Sequence, residues 1–225
     1  MGLMNPSEGL VGVGWLTVSA VLYLVALGVA LRCLPWAVLV RERGIQHLLF
    51  GAAVVMMLMW TLRAGISPGL SIHFVGMTTL TLIFGWDLAI CAGTAALIGL
   101  TLMGRESWTE FLPNALCFVV IPTLVSYAIW RLVEWRFPKN FFIYLFLCAF
   151  LGGGIAAMSG GMTMGALLWL SDTYPWSKIY HEYVRYLPLI MFPEGLVNGI
   201  IMTGMMVFHP DWIRTFDARR YIDEQ

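Results

Sequence analysis

Charge is scarce in this sequence. Asp, Glu, Lys and Arg make up 12% of its 225 residues, against about 25% in a soluble domain. That leaves too few polar groups to coat a water-facing surface, and a soluble globular enzyme is excluded. Neither sign dominates: 13 basic and 13 acidic residues give a formal net charge of zero, so no basic surface for nucleic acid is expected. Cysteine is sparse. Cys33, Cys91, Cys117 and Cys148 form no CxxC pair and mostly lie inside apolar blocks, reading as small buried residues rather than a zinc cage or a disulfide framework. The first positive charge is Arg32, so the basic n-region of a cleavable secretion signal is missing. HExxH, GxSxG, P-loop and dinucleotide patterns are missing as well, and enzymatic function has no support.

What the sequence does have is apolar residues, at 60% with a mean hydropathy of +0.80. They come in blocks of about 17–25 residues, the length that crosses a bilayer core of about 30 Å. The expected fold is all-α: a polytopic membrane helical bundle forming one domain over 1–225. Seven spans are expected, at about 9–31, 46–63, 69–86, 87–103, 111–131, 140–170 and 184–208. Reading 87–103 as re-entrant would give six. The 140–170 block is too long for one straight span, and its Gly152–Gly154 and Ser159-Gly160-Gly161 clusters suggest a bend, a tilt or close helix contact. With the N-terminus outside, the inner segments hold nine Lys and Arg, among them Arg41, Arg43, Arg131, Arg136, Arg214 and Arg219, and the outer ones hold four, Arg63, Arg105, Lys178 and Arg185. This bias favours N-out and C-in. Tryptophans such as Trp36, Trp60, Trp86, Trp130 and Trp212 lie near block ends, as a membrane belt requires.

Ionisable groups within spans cost about 2.5–3.5 kcal/mol each on insertion scales, so they point to cavities, partners or substrate paths. His73 lies in Gly65-Ile-Ser-Pro-Gly-Leu-Ser-Ile-His-Phe-Val-Gly76, which reads as an irregular loop covered by protein or lining a cavity. As a neutral imidazole it suits Ni, Co, Cu or Zn; otherwise it is hydrogen-bonded to nearby backbone. Glu194, in Phe192-Pro-Glu-Gly-Leu-Val-Asn198, would hold a cation, relay a proton, or pair with Arg63 or a backbone donor. Asn198 shares its helix face. Asn114, just after Pro113, caps a helix or binds substrate through its amide. His47 is expected to reach for the interface, and His181 and His209 fall at loop or end positions. Met158, Met162 and Met164 put thioethers on partly shared faces, suited to Cu(I) or to adaptable packing between helices.

From residue 65 onward the order of these features resembles the CbiM/NikM family, the membrane substrate-capture components of energy-coupling-factor transporters for cobalt and nickel. The stretches that carry the resemblance are Gly-Leu-Ser-Ile-His73-Phe-Val-Gly76, Leu-Pro-Asn114-Ala, and Phe-Pro-Glu194-Gly-Leu-Val-Asn-Gly. The resemblance implies seven spans, an N-out and C-in arrangement in the bacterial inner membrane, and capture of a divalent metal near the outer face. His73 is similar in context to a family metal ligand. It also implies a second membrane subunit and ATPases as partners, with no ATP site here. Family members begin Met-His-Ile-Pro-Asp/Glu-Gly; this chain begins Met1-Gly-Leu-Met-Asn5-Pro-Ser-Glu8-Gly9. Without the second-position histidine, either the metal differs, or His73 works with other ligands, or capture is lost.

The expected function is thus a membrane component of cobalt- or nickel-type uptake, with His73, Glu194 and Asn114 as metal-site candidates. The rival is a non-transporting accessory subunit of a larger membrane metalloenzyme. Copper delivery along Met158, Met162 and Met164 is a third reading.

Overall fold

The computed structural model describes residues 10–217 and 221; Glu8-Gly9 and Arg219-Arg220 lie outside them. Helix α1 (Val13–Cys33) is an unbroken apolar run that stops where Leu34 precedes Pro35 and turns extended, at φ −57° and ψ 135°, because the proline ring disfavours helix at the residue before it. Short α2 (Trp36–Arg41) leads into α3 (Arg43–Thr61). Both α1 and α3 pack on the helix over Trp86–Leu102 and turn Val21, Leu24, Val25, Phe50, Val54 and Leu58 outward. Rows of exposed large aliphatics on a helix need a hydrocarbon surround. The protein is a helical membrane bundle. Among the described residues, five helices are long and apolar enough to cross a membrane.

The stretch expected as a straight span over 69–86 is built differently. It begins with an antiparallel hairpin, β1 (Arg63–Ser67) and β2 (Leu70–His73), in which Arg63 faces His73. Pro68-Gly69 makes the turn, with Gly69 at φ 76°, a backbone that glycine adopts without a steric penalty. The Gly/Ser/Pro run is therefore not an irregular loop. The two strands satisfy one another's N–H and C=O groups; β2 is partly to fully covered by protein, while Arg63, Ala64 and Gly65 of β1 are exposed. Helix α4 (Met77–Phe84) follows, only eight residues long and buried along its whole length. At Gly85 the chain reverses into α5 (Trp86–Leu102).

Three long helices complete the bundle. Helix α6 (Phe111–Arg136) widens into a π-helical stretch over Ala115–Val120, where Pro122 cannot donate to the carbonyl four residues back. Helix α7 (Phe141–Leu170) contains a second such stretch at Tyr144–Leu151 and remains continuous through its glycine clusters. Helix α8 (Trp176–Glu182) passes through one 3-10 turn into α9 (Leu187–Phe208). The glycines serve close contact. A methyl on Gly160 would sit 2.5 Å from the Cys117 carbonyl, and one on Gly195 would sit 2.5 Å from the Phe150 carbonyl. In both cases the carbonyl belongs to a π-helical stretch of the neighbouring helix.

The connections sort to two ends. Ser67 donates to Glu182 at 2.7 Å, Tyr174 donates to the Pro68 carbonyl, and Arg63 pairs with Glu106 at one end. At the other, Ile213–Phe216 straps across the foot of α4. The Arg214 and Thr215 N–H groups donate to the Ile83 and Leu82 carbonyls, and the Arg214 guanidinium meets buried Asp87 at 2.6 Å.

Candidate metal site

His73 ends β2 and is held between two aromatic rings. Trp60, at the end of α3, lies 6.0 Å away and Phe118, on α6, 4.8 Å away, both edge-on. Trp60 is itself fixed by its indole N–H on the Val75 carbonyl at 3.1 Å. The imidazole is half-buried and, among the described residues, its nitrogens have no hydrogen-bond partner, so the backbone-bonded alternative is not what the fold contains.

The ring lines a chamber of about 50 Å³ shared with Arg63, Glu106, Glu110 and Asn114. A single water needs about 10–15 Å³ on this measure, so the chamber fits an ion with a few waters and not an organic substrate. The Arg63 guanidinium closes on the Glu106 carboxylate and on the Arg105 carbonyl. Asn114 donates from Nδ2 to the other Glu106 oxygen at 3.3 Å. Burial raises the pKa of Glu106, against the pull of Arg63, and raises that of Glu110, to which the Glu106 charge adds. Outside the chamber is an open vestibule of about 540 Å³ that shares the walls Arg63, Gly69, Ser71, Glu106 and Glu110. Among the described residues no three His, Cys, Asp or Glu side chains converge closely enough to hold a metal. The chamber is lined for a cation but is not a finished coordination cage.

Glu194 lies elsewhere. Its side chain is buried on α9, where it accepts the Gly76 N–H at 2.6 Å, the Val75 N–H at 2.9 Å and the Asn198 amide at 2.9 Å. Asn198 Oδ1 in turn accepts the Thr79 N–H and hydroxyl at 2.9 and 2.6 Å. This carboxylate does not meet Arg63. Its oxygens take the Val75 and Gly76 N–H groups just ahead of α4, while Asn198 takes the Thr79 N–H, one of the groups that a helix start leaves unpaired.

The model of the CbiM family, the cobalt uptake substrate-specific transmembrane region, matches residues 6–212. The chain belongs to the CbiM family. It is a membrane component of a metal-uptake system and not an enzyme. The crystal structure of a truncated transition metal transporter superposes with a TM-score of 0.75 at 17% identity, covering 92% of this chain and 100% of the other. A second transition metal transporter structure gives 0.71 at 17% identity, covering 91% and 93%. At that identity the two establish the shared fold. Curated proteins give no match.

Against this CbiM fold the sequence expectations divide. His73 and Asn114 come together in one chamber. Asn114 is no helix cap: it lies inside the helical run of α6, and its amide is turned to Glu106. The three methionines share no single face: Met164 is buried with Leu70 and Leu168 and Met158 packs against the same cluster, while Met162 faces outward at 38% exposure. His181 bonds the Ser177 carbonyl at 2.7 Å and His209 stacks on Trp212 at 4.2 Å. Glu106 and Glu110 escaped the sequence reading. Four residues apart in a loop, they look like ordinary solvated charges until the hairpin closes over them.

Proposed function

We propose that this CbiM-family protein captures a divalent cobalt- or nickel-type ion in the chamber beside His73. It would then hand the ion on as part of an energy-coupling-factor complex with a second membrane subunit and ATPases. The observation that carries this is an imidazole, free of protein hydrogen bonds, lining a chamber of ionic size with two carboxylates. An imidazole with carboxylate and amide oxygens suits a borderline divalent ion; the dispersed methionines give Cu(I) no comparable site. In this reading Asn114 helps as an oxygen donor or by aiming Glu106, and Glu194 positions the turn after His73 without touching the metal. The sorting of Arg63, Glu106, Tyr174 and Glu182 to one end and Arg214 and Trp130 to the other supports seven passes, N-out and C-in, the third made by the hairpin plus α4.

The test is direct. The protein is purified in mild detergent with and without His73→Ala, Ni²⁺ and Co²⁺ are titrated, and co-purifying partners are identified by mass spectrometry. The variant should lose about tenfold or more in affinity, as loss of one ligand implies, and ATPases should co-purify. Equal metal content and uptake in both forms would sink the site, and a redox enzyme as stoichiometric partner would sink the transport role.

A further inference from the structure

The chamber already contains a cation of its own. Arg63 faces His73 in the hairpin register, where opposed Cβ atoms lie about 5 Å apart. Its guanidinium closes on Glu106, and its side chain lines both chamber and vestibule. That side chain is 36% exposed, so a rotation of its stem toward the vestibule meets open space.

Charge decides what happens when an ion enters. Glu106 and Glu110 with Arg63 leave the empty chamber at minus one. A divalent ion added beside Arg63 brings it to plus one; the same ion with Arg63 withdrawn brings it to zero. Trp60, Phe118, Leu97 and Leu100 form apolar walls, and unbalanced charge is costly where water is thinned out. The neutral arrangement wins. A monovalent ion beside Arg63 already brings the chamber to zero and needs no exchange, so only a divalent ion drives Arg63 out.

We infer that Arg63 is a tethered competitor cation: it holds Glu106 while the chamber is empty and swings into the vestibule when a divalent ion enters. This rests on the reading of the chamber as the metal site. The guanidinium is suited to the role because it stays charged at any working pH and fits a carboxylate well.

The experiment uses the full-length protein in detergent, titrated with Ni²⁺ at fixed ionic strength. Arg63→Gln should bind Ni²⁺ about tenfold tighter or more, as removal of a nearby like charge implies. Arg63→Lys, which keeps the charge, should stay close to the parent. If Arg63 only clasps the 103–110 loop, Arg63→Gln binds more weakly, which overturns the inference. A second measurement needs no variant: phenylglyoxal labelling of Arg63, read by mass spectrometry, should rise when Ni²⁺ is added, and unchanged or reduced labelling overturns it. His73→Ala separates the levels. If it binds as the parent does, the site itself is wrong; if it loses binding while Arg63→Gln does not tighten it, only the exchange is wrong.

Discussion

Glu194 accepts the backbone N–H of Gly76 at 2.6 Å, across 118 residues of sequence. The turn that follows His73 is therefore hung from the last long helix. Gly76 has φ 66°, a conformation that keeps the Val75 and Gly76 N–H groups free to point at one carboxylate. The local backbone and the distant side chain specify the same geometry.

Replacing Glu194 tests positioning against ligation. Glu194→Ala leaves buried N–H donors at Val75 and Gly76 unpaired, at about 1–3 kcal/mol each, and should lower the thermal midpoint in detergent sharply. Glu194→Gln keeps one acceptor oxygen and should fold with a smaller loss. Its Ni²⁺ affinity should stay within a few-fold of the parent. A Gln variant of parental stability that binds no metal would make Glu194 a ligand instead.

Two glycines should be intolerant where a third is not. A Cβ on Gly160 or Gly195 would lie 2.5 Å from a backbone carbonyl, while Gly28 has nothing within 4 Å. Gly160→Ala and Gly195→Ala should each cost about 1–3 kcal/mol or more from overpacking. Gly28→Ala should be neutral or slightly stabilising, because alanine is the better helix former. Thermal melts of the three variants under one condition make the comparison.

Metal binding should weaken as pH falls, and early. Glu106 and Glu110 keep their protons at pH values above the ordinary 4.5, burial being the leading cause for each. A cation needs the deprotonated carboxylates, so affinity is present above those raised values and is lost as pH drops through them. Titrations between about pH 7 and about pH 5 should show the decline, and it should shrink in Glu106→Gln with Glu110→Gln. Affinity flat across that range would exclude these carboxylates as ligands.

The strap at the other end makes a separate prediction. Asp87 is buried and pairs with Arg214, whose guanidinium also reaches the Phe84 carbonyl at 3.0 Å. Arg214→Ala should destabilise the fold by about 1–3 kcal/mol, less than a fully buried pair because Arg214 is half-exposed. Metal affinity of the folded fraction should be unchanged, since α4 separates the strap from the chamber. A melt and a Ni²⁺ titration on the same preparation read both.

Particular residues show why some of this was legible in the sequence. Asn198 stands four residues after Glu194, and helical periodicity alone puts the two on one face, where the structure joins them. What Glu194 holds was not legible, because its targets are backbone groups more than a hundred residues away. The hairpin was hidden for a different reason. Strands as short as Leu70–His73 carry too little alternation to outweigh a Gly/Ser/Pro run. Glu106 and Glu110 were passed over because a carboxylate in a loop is ordinarily solvated. Only the closure of Arg63 and Asn114 upon them removes the water. Hydropathy found the long helices well because membrane insertion selects for it directly; it is silent on which polar side chains the bundle turns inward.

The paired approaches of Gly160 to Cys117 and of Gly195 to Phe150 bear on how such a sequence can drift. Three helices meet there through main chain, so the joint depends on the absence of a side chain at two positions and little on which side chains surround them. Outward positions such as Val21, Leu24 and Phe50 need only remain oily. A lineage built on this frame can exchange most of its residues and keep its shape, provided a few glycines and the polar anchors of the hairpin stay where they are.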